Sequence, residues 1–174
     1  KSRKMTAGDR VNFQRGLTSQ NLNSPYLVIY NASAKDANAT VVERVKLDLG
    51  FIIESTTYVF YSNNLSELYY LSAILNSTLP NLMIKDFQAR GLFGPRHVHK
   101  KILDVYFPQF NGRNHKHIGL ANLGEKAHKK VIDFLEKLPD DTRLEAYHLG
   151  KIRLQIKEYL SEELHEIDIL VSQL

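Results

Sequence analysis

The sequence predicts an α+β fold with a small β-rich N-terminal part, central helices and a basic loop, and a C-terminal pair of long antiparallel helices. Three observations predict this arrangement. Short runs of β-branched and aromatic residues occupy much of the chain between residues 26 and 61. Apolar residues then recur every three or four positions, as they do on one face of a helix. A glycine-containing stretch rich in Lys, Arg and His separates the central from the C-terminal helical patterns.

The lead-in and the strands come first. Residues 1–25 are polar and punctuated by glycine and proline, so we expect them to form a loop. Strands are predicted where β-branched and aromatic residues are bounded by turn-forming residues. These runs are Tyr26–Tyr30, Thr40–Leu47, Phe51–Glu54 and Thr56–Tyr61.

A helical period begins after residue 63. Asn64 followed by Glu67 is typical of a capping box, in which the asparagine accepts from first-turn amides and the glutamate reaches back. Because proline removes an amide donor and restricts the residue before it, we expect Pro80 to divide the helix. The apolar face of this helix consists of Leu68, Leu71, Leu75, Leu79 and Leu82.

Two long helices are predicted at the end of the chain. Pro139 ends the first, and Thr142 with Glu145 resembles a capping box for the second. Their near-heptad spacing and short linker predict that they pack as an antiparallel pair. The first stripe is Leu120, Leu123, Ala127, Val131, Phe134 and Leu138, and the second is Leu149, Ile152, Ile156, Leu160, Leu164, Ile167 and Val171.

These elements suggest three parts in the 174 residues: a lead-in at 1–25, an α+β domain at 26–112, and a helical extension at 113–174 packed on it. The absence of cysteine excludes disulfides and thiolate metal sites. No apolar run approaches the roughly 20 residues of a membrane helix, so no membrane partner is expected. The polar, basic first ten residues do not resemble a signal peptide. We therefore expect a cytoplasmic location, and since residue 1 is not Met, we expect a piece of a longer protein.

The positive charge is concentrated in the middle of the chain. Residues 85–130 carry 10 Lys and Arg against 3 Asp and Glu, and they hold 5 of the 7 histidines. Residues 131–174 carry 5 Lys and Arg against 10 Asp and Glu. A molecule polarised in this way steers polyanions to one face.

The segment from Lys85 to Arg113 is the candidate nucleic-acid site. Arg and Gln can pair bidentately with guanine and adenine in the major groove, while Lys and Arg neutralise phosphates. The glycines of the segment allow close approach of the backbone. The alternative is a solvated basic loop with no ligand. The candidate DNA-binding residues are Lys85, Gln88, Arg90, Arg96, His97, His99, Lys100, Lys101 and Arg113.

Two other motifs could suggest catalysis or metal binding, but both have a better explanation. Residues 23–26, Asn-Ser-Pro-Tyr, resemble the Asn-Pro-Pro-Tyr turn of amino-methyltransferases, but they precede a strand instead of following one and lack an upstream glycine-rich cofactor turn. Two His-x-His pairs, at 97–99 and 115–117, could supply four zinc ligands. Histidines on a basic surface that approach phosphate explain them better. We predict no catalytic residues and no metal site.

Several segments taken together resemble a known family. They are Tyr70–Ser77 (YLSAILNS), the Arg90-Gly91 pair, Ile102–Pro108 (ILDVYFP) and the tail LGKIRLQIKEYLSEELHEIDILV. Their order and spacing are similar to the C-terminal specificity domains of TaqI-like adenine-N6 DNA methyltransferases, and closer still to those of fused type II restriction–modification enzymes. One departure is Tyr106-Phe107, where the family usually has Pro-Ile.

The resemblance implies a division of labour between domains. A covalently linked methyltransferase domain, outside this chain, would bind S-adenosylmethionine and methylate an adenine flipped out of the duplex. This chain would recognise double-stranded DNA and hold it, without a cofactor or catalytic site of its own. The acidic helical tail would face away from the DNA.

Three other functions remain open from the residues alone. The chain could be a stand-alone specificity subunit or an RNA-binding protein. It could be a protein-interaction module whose helical pair is the interface and whose basic loop is only solvated. A nuclease is a third alternative, although no set of metal-ligating carboxylates is visible in the sequence.

We expect no methyl transfer by this chain alone, because the 22 residues before Asn23 leave no room for cofactor-binding strands. Incubation with duplex DNA and labelled S-adenosylmethionine should leave the DNA without label above background. A complete adenine-N6 methyltransferase acting on the same DNA is the positive control. Clear cofactor-dependent labelling by the chain would show that the prediction is wrong.

Overall fold

The computed structural model describes residues 5–12, 16–32, 36–53, 56–88, 90–91, 94–95, 102, 107–139, 142 and 145–174. It confirms the α+β fold. The strands are β1 (Tyr26–Asn31), β2 (Ala39–Glu43), β3 (Thr57–Ser62), β4 (Arg90–Gly91) and β5 (Gly94–Pro95). The helices are α1 (Ala7–Val11), α2 (Leu65–Asn76), α3 (Thr78–Met83), α4 (His115–Glu136), α5 (Ala146–Tyr159) and α6 (Ser161–Val171). Single 3-10 turns lie at Arg44–Lys46 and Lys85–Phe87.

The polar lead-in contains a short helix where a loop was predicted. Thr6 accepts a hydrogen bond from the Asp9 amide, and the Asp9 carboxylate accepts one from the Thr6 amide. This reciprocal capping satisfies amides that would otherwise face only water, so α1 forms in spite of its short length.

The three-stranded sheet is antiparallel with β1 in the centre, in the order β2-β1-β3. Val28 of β1 lies opposite Val41 of β2 and Phe60 of β3. Leu27, Val28 and Tyr30 are buried, so the central strand is covered on both faces. Strand β3 pairs with β1 and not with β2, the strand that precedes it in the chain.

Two predicted strands differ in the structure. The run predicted over residues 40–47 ends at Glu43, and a 3-10 turn follows it. Residues 51–53 of the predicted Phe51–Glu54 strand are not in a strand. The side-chain amide of Gln20 bonds both backbone groups of Ile53, donating to its carbonyl at 2.6 Å and accepting from its amide at 2.8 Å. A side chain thus replaces the ladder partner that a strand would need.

Helix α2 begins at the predicted cap. The Asn64 side chain accepts from the amides of Ser66 and Glu67. The second half of the capping box runs through Ser62, whose hydroxyl donates to the Glu67 carboxylate at 2.6 Å and accepts from the Asn64 amide at 2.9 Å. A hydroxyl relay therefore satisfies the amide that the glutamate was expected to reach directly.

The division after α2 occurs at Ser77, three residues before Pro80. The Ser77 hydroxyl and amide both donate to the carbonyl of Ile74, and α3 restarts at Thr78. Pro80 lies in the first turn of α3, where the missing amide donor has no cost. Asp168 of α6 caps this turn by accepting from both the amide and the hydroxyl of Thr78 at 2.7 Å.

Helix α4 packs closely on α2, and a glycine makes the contact possible. A Cβ atom added at Gly124 would overlap the Tyr69 carbonyl oxygen and would lie 3.1 Å from the carbonyl carbon. It would also lie 3.4 Å from the Cβ of Ala73. The backbones of the two helices therefore meet where only hydrogen fits.

The single long helix predicted at the end of the chain is divided into α5 and α6 at Leu160. Leu160 is buried, and its amide donates to the Ile156 carbonyl as α5 ends. Helix α6 forms the predicted antiparallel pair with α4. Lys116, near the start of α4, donates to the Gln173 carbonyl, whereas Lys126 and Lys130 bind Glu163 at the start of α6.

Helix α5 begins at Ala146 without the predicted capping box. Its N-cap residue is Glu145, which makes no side-chain capping bond. Thr142 lies outside the helix, and its amide donates to the Pro139 carbonyl.

One hydrophobic core joins the parts of the chain on both sides of residue 113. It contains Val28 of β1, Leu68 and Ile74 of α2, Leu120 of α4 and Ile167 of α6. The predicted domain at 26–112 and the predicted extension at 113–174 share this core. None of the helices that the structure describes is both long and apolar enough to cross a membrane.

Replacing Gly124 by alanine should destabilise the fold, because the added methyl group has no space against the α2 backbone. We expect a loss of about 1–3 kcal/mol in the free energy of unfolding. Gly150→Ala is the matched control, since a Cβ at Gly150 in α5 meets nothing within 4 Å. It should stabilise by roughly 0.5–1 kcal/mol through helix propensity. Urea unfolding measures both, and a neutral or stabilising Gly124→Ala would contradict the close packing.

Candidate nucleic-acid interface

The basic segment at residues 89–101 is flanked by two residues with buried side chains. Gln88 precedes it and is 5% exposed, and Ile102 follows it and is fully buried within the core. Gln88 comes directly after the 3-10 turn Lys85–Phe87, which continues from α3. Both ends of the segment are therefore fixed to the helical core.

A short antiparallel ladder lies inside this segment, where the sequence predicted a loop. Arg90 pairs with Pro95 and Gly91 with Gly94. Proline is compatible with this position because a two-stranded ribbon has only edge strands, on which the missing donor can face solvent. The ladder brings the backbone at Arg90 beside the backbone at Pro95.

Two candidate residues at the start of the segment face the protein. The Lys85 ammonium lies 3.1 Å from the Asp36 carboxylate, and about a third of its side chain is exposed. The Gln88 side chain is buried, so it would have to leave the core to contact a base edge. In this conformation both residues contribute more to the β1–β2 connection and the core than to an outer surface.

The remaining candidates fall into two groups. Arg113 is exposed in the turn before α4, where its amide donates to the Asn111 side chain at 2.9 Å. For Arg90 the structure describes the backbone only. Outside the described residues lie Arg96, His97, His99, Lys100 and Lys101.

The chain after the segment is held by Tyr70 of α2. Its hydroxyl donates to the Pro108 carbonyl at 2.7 Å, and burial raises the pKa of Tyr70 to about 12, so the hydroxyl keeps its proton. The Tyr70 ring stacks on His117 with centroids 4.8 Å apart, and the Phe110 ring lies 5.5 Å away. Residues 107–114 are thereby fixed to the central helix.

His117 is a positioning residue, although the sequence suggested a surface histidine that approaches phosphate. It is 3% exposed, and its Nδ1 accepts from the Asn111 amide at 3.0 Å. Burial lowers its pKa, which favours the neutral ring that this hydrogen bond requires. His115, the other member of the pair, is exposed. The signal for burial was in the sequence, because His117 is three residues before Leu120 and on the same helical face.

Several cations counted in the basic middle of the chain are used within the fold. Lys126 and Lys130 lie 2.9 and 2.8 Å from the two carboxylate oxygens of Glu163, which is 1% exposed. Burial alone would raise the pKa of Glu163, but the two ammonium groups lower it to about 2. Lys129 pairs with Glu125 at 2.7 Å. Lys126 and Lys130 thus serve the α4–α6 contact, and Lys129 pairs within α4.

The turn at residues 23–26 leads into β1, as the sequence predicted. The Ser24 hydroxyl donates to the carbonyls of Tyr26 and Ser62, and the Arg44 amide donates to the Pro25 carbonyl. These bonds connect the turn to β3 and to the end of β2. Across the described part of the chain, no three metal-ligating side chains lie together.

Comparisons of the chain with protein-family models, with curated proteins and with solved structures gave no significant match.

Acid should destabilise the fold through His117. Its pKa in the folded protein lies below the ordinary value of 6.5. As the pH falls, the His117 ring is therefore protonated at a higher pH in the unfolded chain than in the folded protein. The contribution of this residue is complete above about pH 6.5 and decreases below it. His117→Asn retains an acceptor near Nδ1 and removes the titration. Between about pH 7 and pH 5, the melting temperature of the unmodified chain should fall more steeply than that of the variant.

The control for this comparison is His165→Asn, since His165 is exposed on α6. It should leave the pH dependence of the melting temperature unchanged. Parallel pH profiles for the unmodified chain and His117→Asn would contradict the role of His117.

Proposed function

We propose that this chain is a sequence-specific recognition module for double-stranded DNA. It would position the duplex for a covalently linked methyltransferase domain of an adenine-N6 methyltransferase or restriction–modification enzyme. The observation that carries the proposal is the basic segment at residues 89–101, whose two ends are fixed at the buried residues Gln88 and Ile102. A reader of base edges needs cations on a support that holds them in register.

The composition of the segment favours a polyanion. It contains Arg90, Arg96, Lys100 and Lys101, two histidines, and no Asp or Glu. Phosphate neutralisation by Lys and Arg releases counterions, which supplies affinity without sequence information. Arginine adds sequence information when its guanidinium pairs with the O6 and N7 atoms of guanine.

The β4–β5 ladder favours a duplex over a single strand. A two-stranded ribbon fits the major groove of B-form DNA, which is about 12 Å wide. Gly91 and Gly94 form the inner pair of the ladder and present no side chain that would keep the backbone from a groove wall. The exposed turn at Arg113 offers a further phosphate contact beside the start of α4.

The rest of the enzyme follows from the same proposal. S-adenosylmethionine would bind in the linked domain, and this chain would bind no cofactor. We place the protein in the cytoplasm, where its DNA substrate and methyl donor are both present. The acidic helix α6 packs against α4 and is not part of the proposed DNA surface.

Binding of the chain to duplex DNA should be weak and sensitive to salt. Each neutralised phosphate contributes about −0.9 to the slope of log K against log salt, so a slope on the order of −3 to −6 is expected for the six Lys and Arg of the candidate set. Fluorescence anisotropy on a mixed-sequence duplex between about 50 and 200 mM salt gives the slope. A flat dependence, or no binding at low salt, would count against DNA as the ligand.

Arg96→Ala separates base recognition from phosphate contact. If Arg96 pairs with a guanine, the variant should lose about 1–3 kcal/mol on the cognate duplex and tolerate other bases at one position. If it binds phosphate, as we expect for Lys100 and Lys101, all sequences should lose affinity alike and the salt slope should decrease by about one. The cognate duplex comes from selection on a randomised library.

Lys137→Ala is the control of equal charge change, since Lys137 is exposed at the end of α4. It should bind every duplex as the unmodified chain does. Unchanged affinity in Arg96→Ala and in a Lys100→Ala/Lys101→Ala double variant would overturn the assignment of this segment as the DNA surface.

A further inference from the structure

A large open groove lies on the side of α4 that α2 and α6 leave uncovered. It encloses about 1110 Å³ between α5 on one side and the start of β2 with the α2–α3 junction on the other. We call it the α5 groove. Ala127, Val131 and Leu135 of α4 form its apolar floor, with Leu164 and Ile167 of α6 beside them.

Apolar side chains of helix α5 line this groove and remain exposed to solvent. Tyr147 and Leu154 both line the groove and are 68% and 70% exposed. They are seven positions apart, with Gly150 and Lys151 between them on the same helical face. Exposed apolar residues that line one concavity are typical of an interaction site, whereas isolated ones are common on any surface.

The charge of the groove is positive. Lys151, Arg153 and Lys157 of α5 line it, and none of them is within ion-pair distance of a carboxylate among the described residues. The Lys151 ammonium lies 4.6 Å from the centre of the Tyr147 ring. The one carboxylate among the lining residues, that of Asp36, is paired with Lys85. The groove therefore offers an apolar floor beside a row of cations.

We propose that the α5 groove binds an amphipathic helix of a partner protein, with apolar residues on one face and carboxylates along its flank. An α-helix with its side chains is about 10–12 Å across, and its apolar residues at every third and fourth position would enter the groove in one row. The apolar face would cover Leu154 and Leu135, and the carboxylates would meet Lys151 and Lys157. Among the candidate DNA-binding residues that the structure describes, Lys85 lines the groove and Arg113 does not. The proposal does not depend on the DNA proposal.

Other anionic occupants fit the groove less well. A DNA backbone would satisfy the cations, but its phosphates and sugars would leave the apolar floor without a complementary surface. A second copy of this chain could offer the acidic helix α6, but the apolar face of α6 is already packed on α4, with Ile167 and Val171 buried. The second copy would first have to separate this helix from its own core.

The test uses the whole chain and a fluorescein-labelled acidic peptide of about 16 residues, roughly four helical turns. Its leucines are spaced alternately three and four residues apart, so that they form one helical face, and glutamates occupy the other positions. We expect saturable binding by fluorescence anisotropy, and at least about tenfold weaker binding of a matched peptide with lysine in place of glutamate.

Variants on α5 locate the site. Leu154→Glu and the double variant Lys151→Glu/Lys157→Glu should each weaken binding of the acidic peptide by about tenfold or more. Their side chains are exposed, so folding should be kept, and circular dichroism verifies it. Arg10→Glu, an exposed charge reversal on α1, should leave peptide affinity unchanged.

Four results would overturn the proposal. The first is that the acidic peptide does not bind, and the second is that the acidic and basic peptides bind with equal affinity. The third is that duplex DNA displaces the peptide and that this displacement depends on Lys151 and Lys157. The fourth is that light scattering shows a dimer, which Leu154→Glu dissociates. The third would assign the groove to DNA, and the fourth would assign it to a second copy of this chain. DNA affinity measured on the same α5 variants stays unchanged if the two surfaces are independent.

Discussion

The contact between α2 and α4 at Gly124 is the constraint on which the rest of the structure depends. Every residue of α2 from Leu68 to Leu75 is buried, because the sheet covers one side of the helix and α4 the other. The helices meet backbone to backbone at Tyr69 and Gly124, so neither can shift along the other without a gap or an overlap. The β1–β2 connection and the chain around Pro108 are bonded to α2, so their positions are fixed with it.

Side-chain amides connect these elements where no regular ladder is present. Asn76 at the end of α2 accepts from the Ala39 amide and donates to the Ala39 carbonyl. Asn81 of α3 accepts from the Ala37 amide and donates to the carbonyls of Leu75 and Ser77. Gln20 likewise donates to the Ile53 carbonyl and accepts from the Ile53 amide. Each amide side chain supplies one acceptor and two donor hydrogens, which is why Asn and Gln can stand in for a neighbouring strand or a helical turn.

The parts of the fold that follow from local sequence were predictable. The strand at Tyr26–Asn31 and the cap at Asn64 depend on neighbouring residues, and the predictions for both agree with the structure. Two of the features that were missed depend on partners far along the chain. The division at Ser77 is stabilised by Asp168 of α6, and residues 51–53 are kept out of the sheet by Gln20.

The same distinction applies to the candidate site. The density of cations between residues 85 and 113 is visible in the sequence, but which of them face solvent is not. Lys85 forms an ion pair with Asp36, the Gln88 side chain is buried, and the His117 ring stacks on Tyr70. These contacts are made only in the folded chain. Arg113 remains exposed because a tight turn before α4 carries it. A charge pattern in the sequence therefore indicates which segment is a candidate binding site. Tertiary packing then decides which residues of that segment are exposed to a ligand.

The amide pairing of Asn76 with Ala39 also affects how this protein behaves in concentrated solution. Strand β2 is at the edge of the sheet, and exposed edges invite strand addition from other molecules and eventual aggregation. At the first residue of β2, both hydrogen-bonding groups are already bonded to a side chain of the same molecule. An incoming strand would have to displace Asn76 before it could extend the sheet from this end, so α2 protects the edge as well as the core.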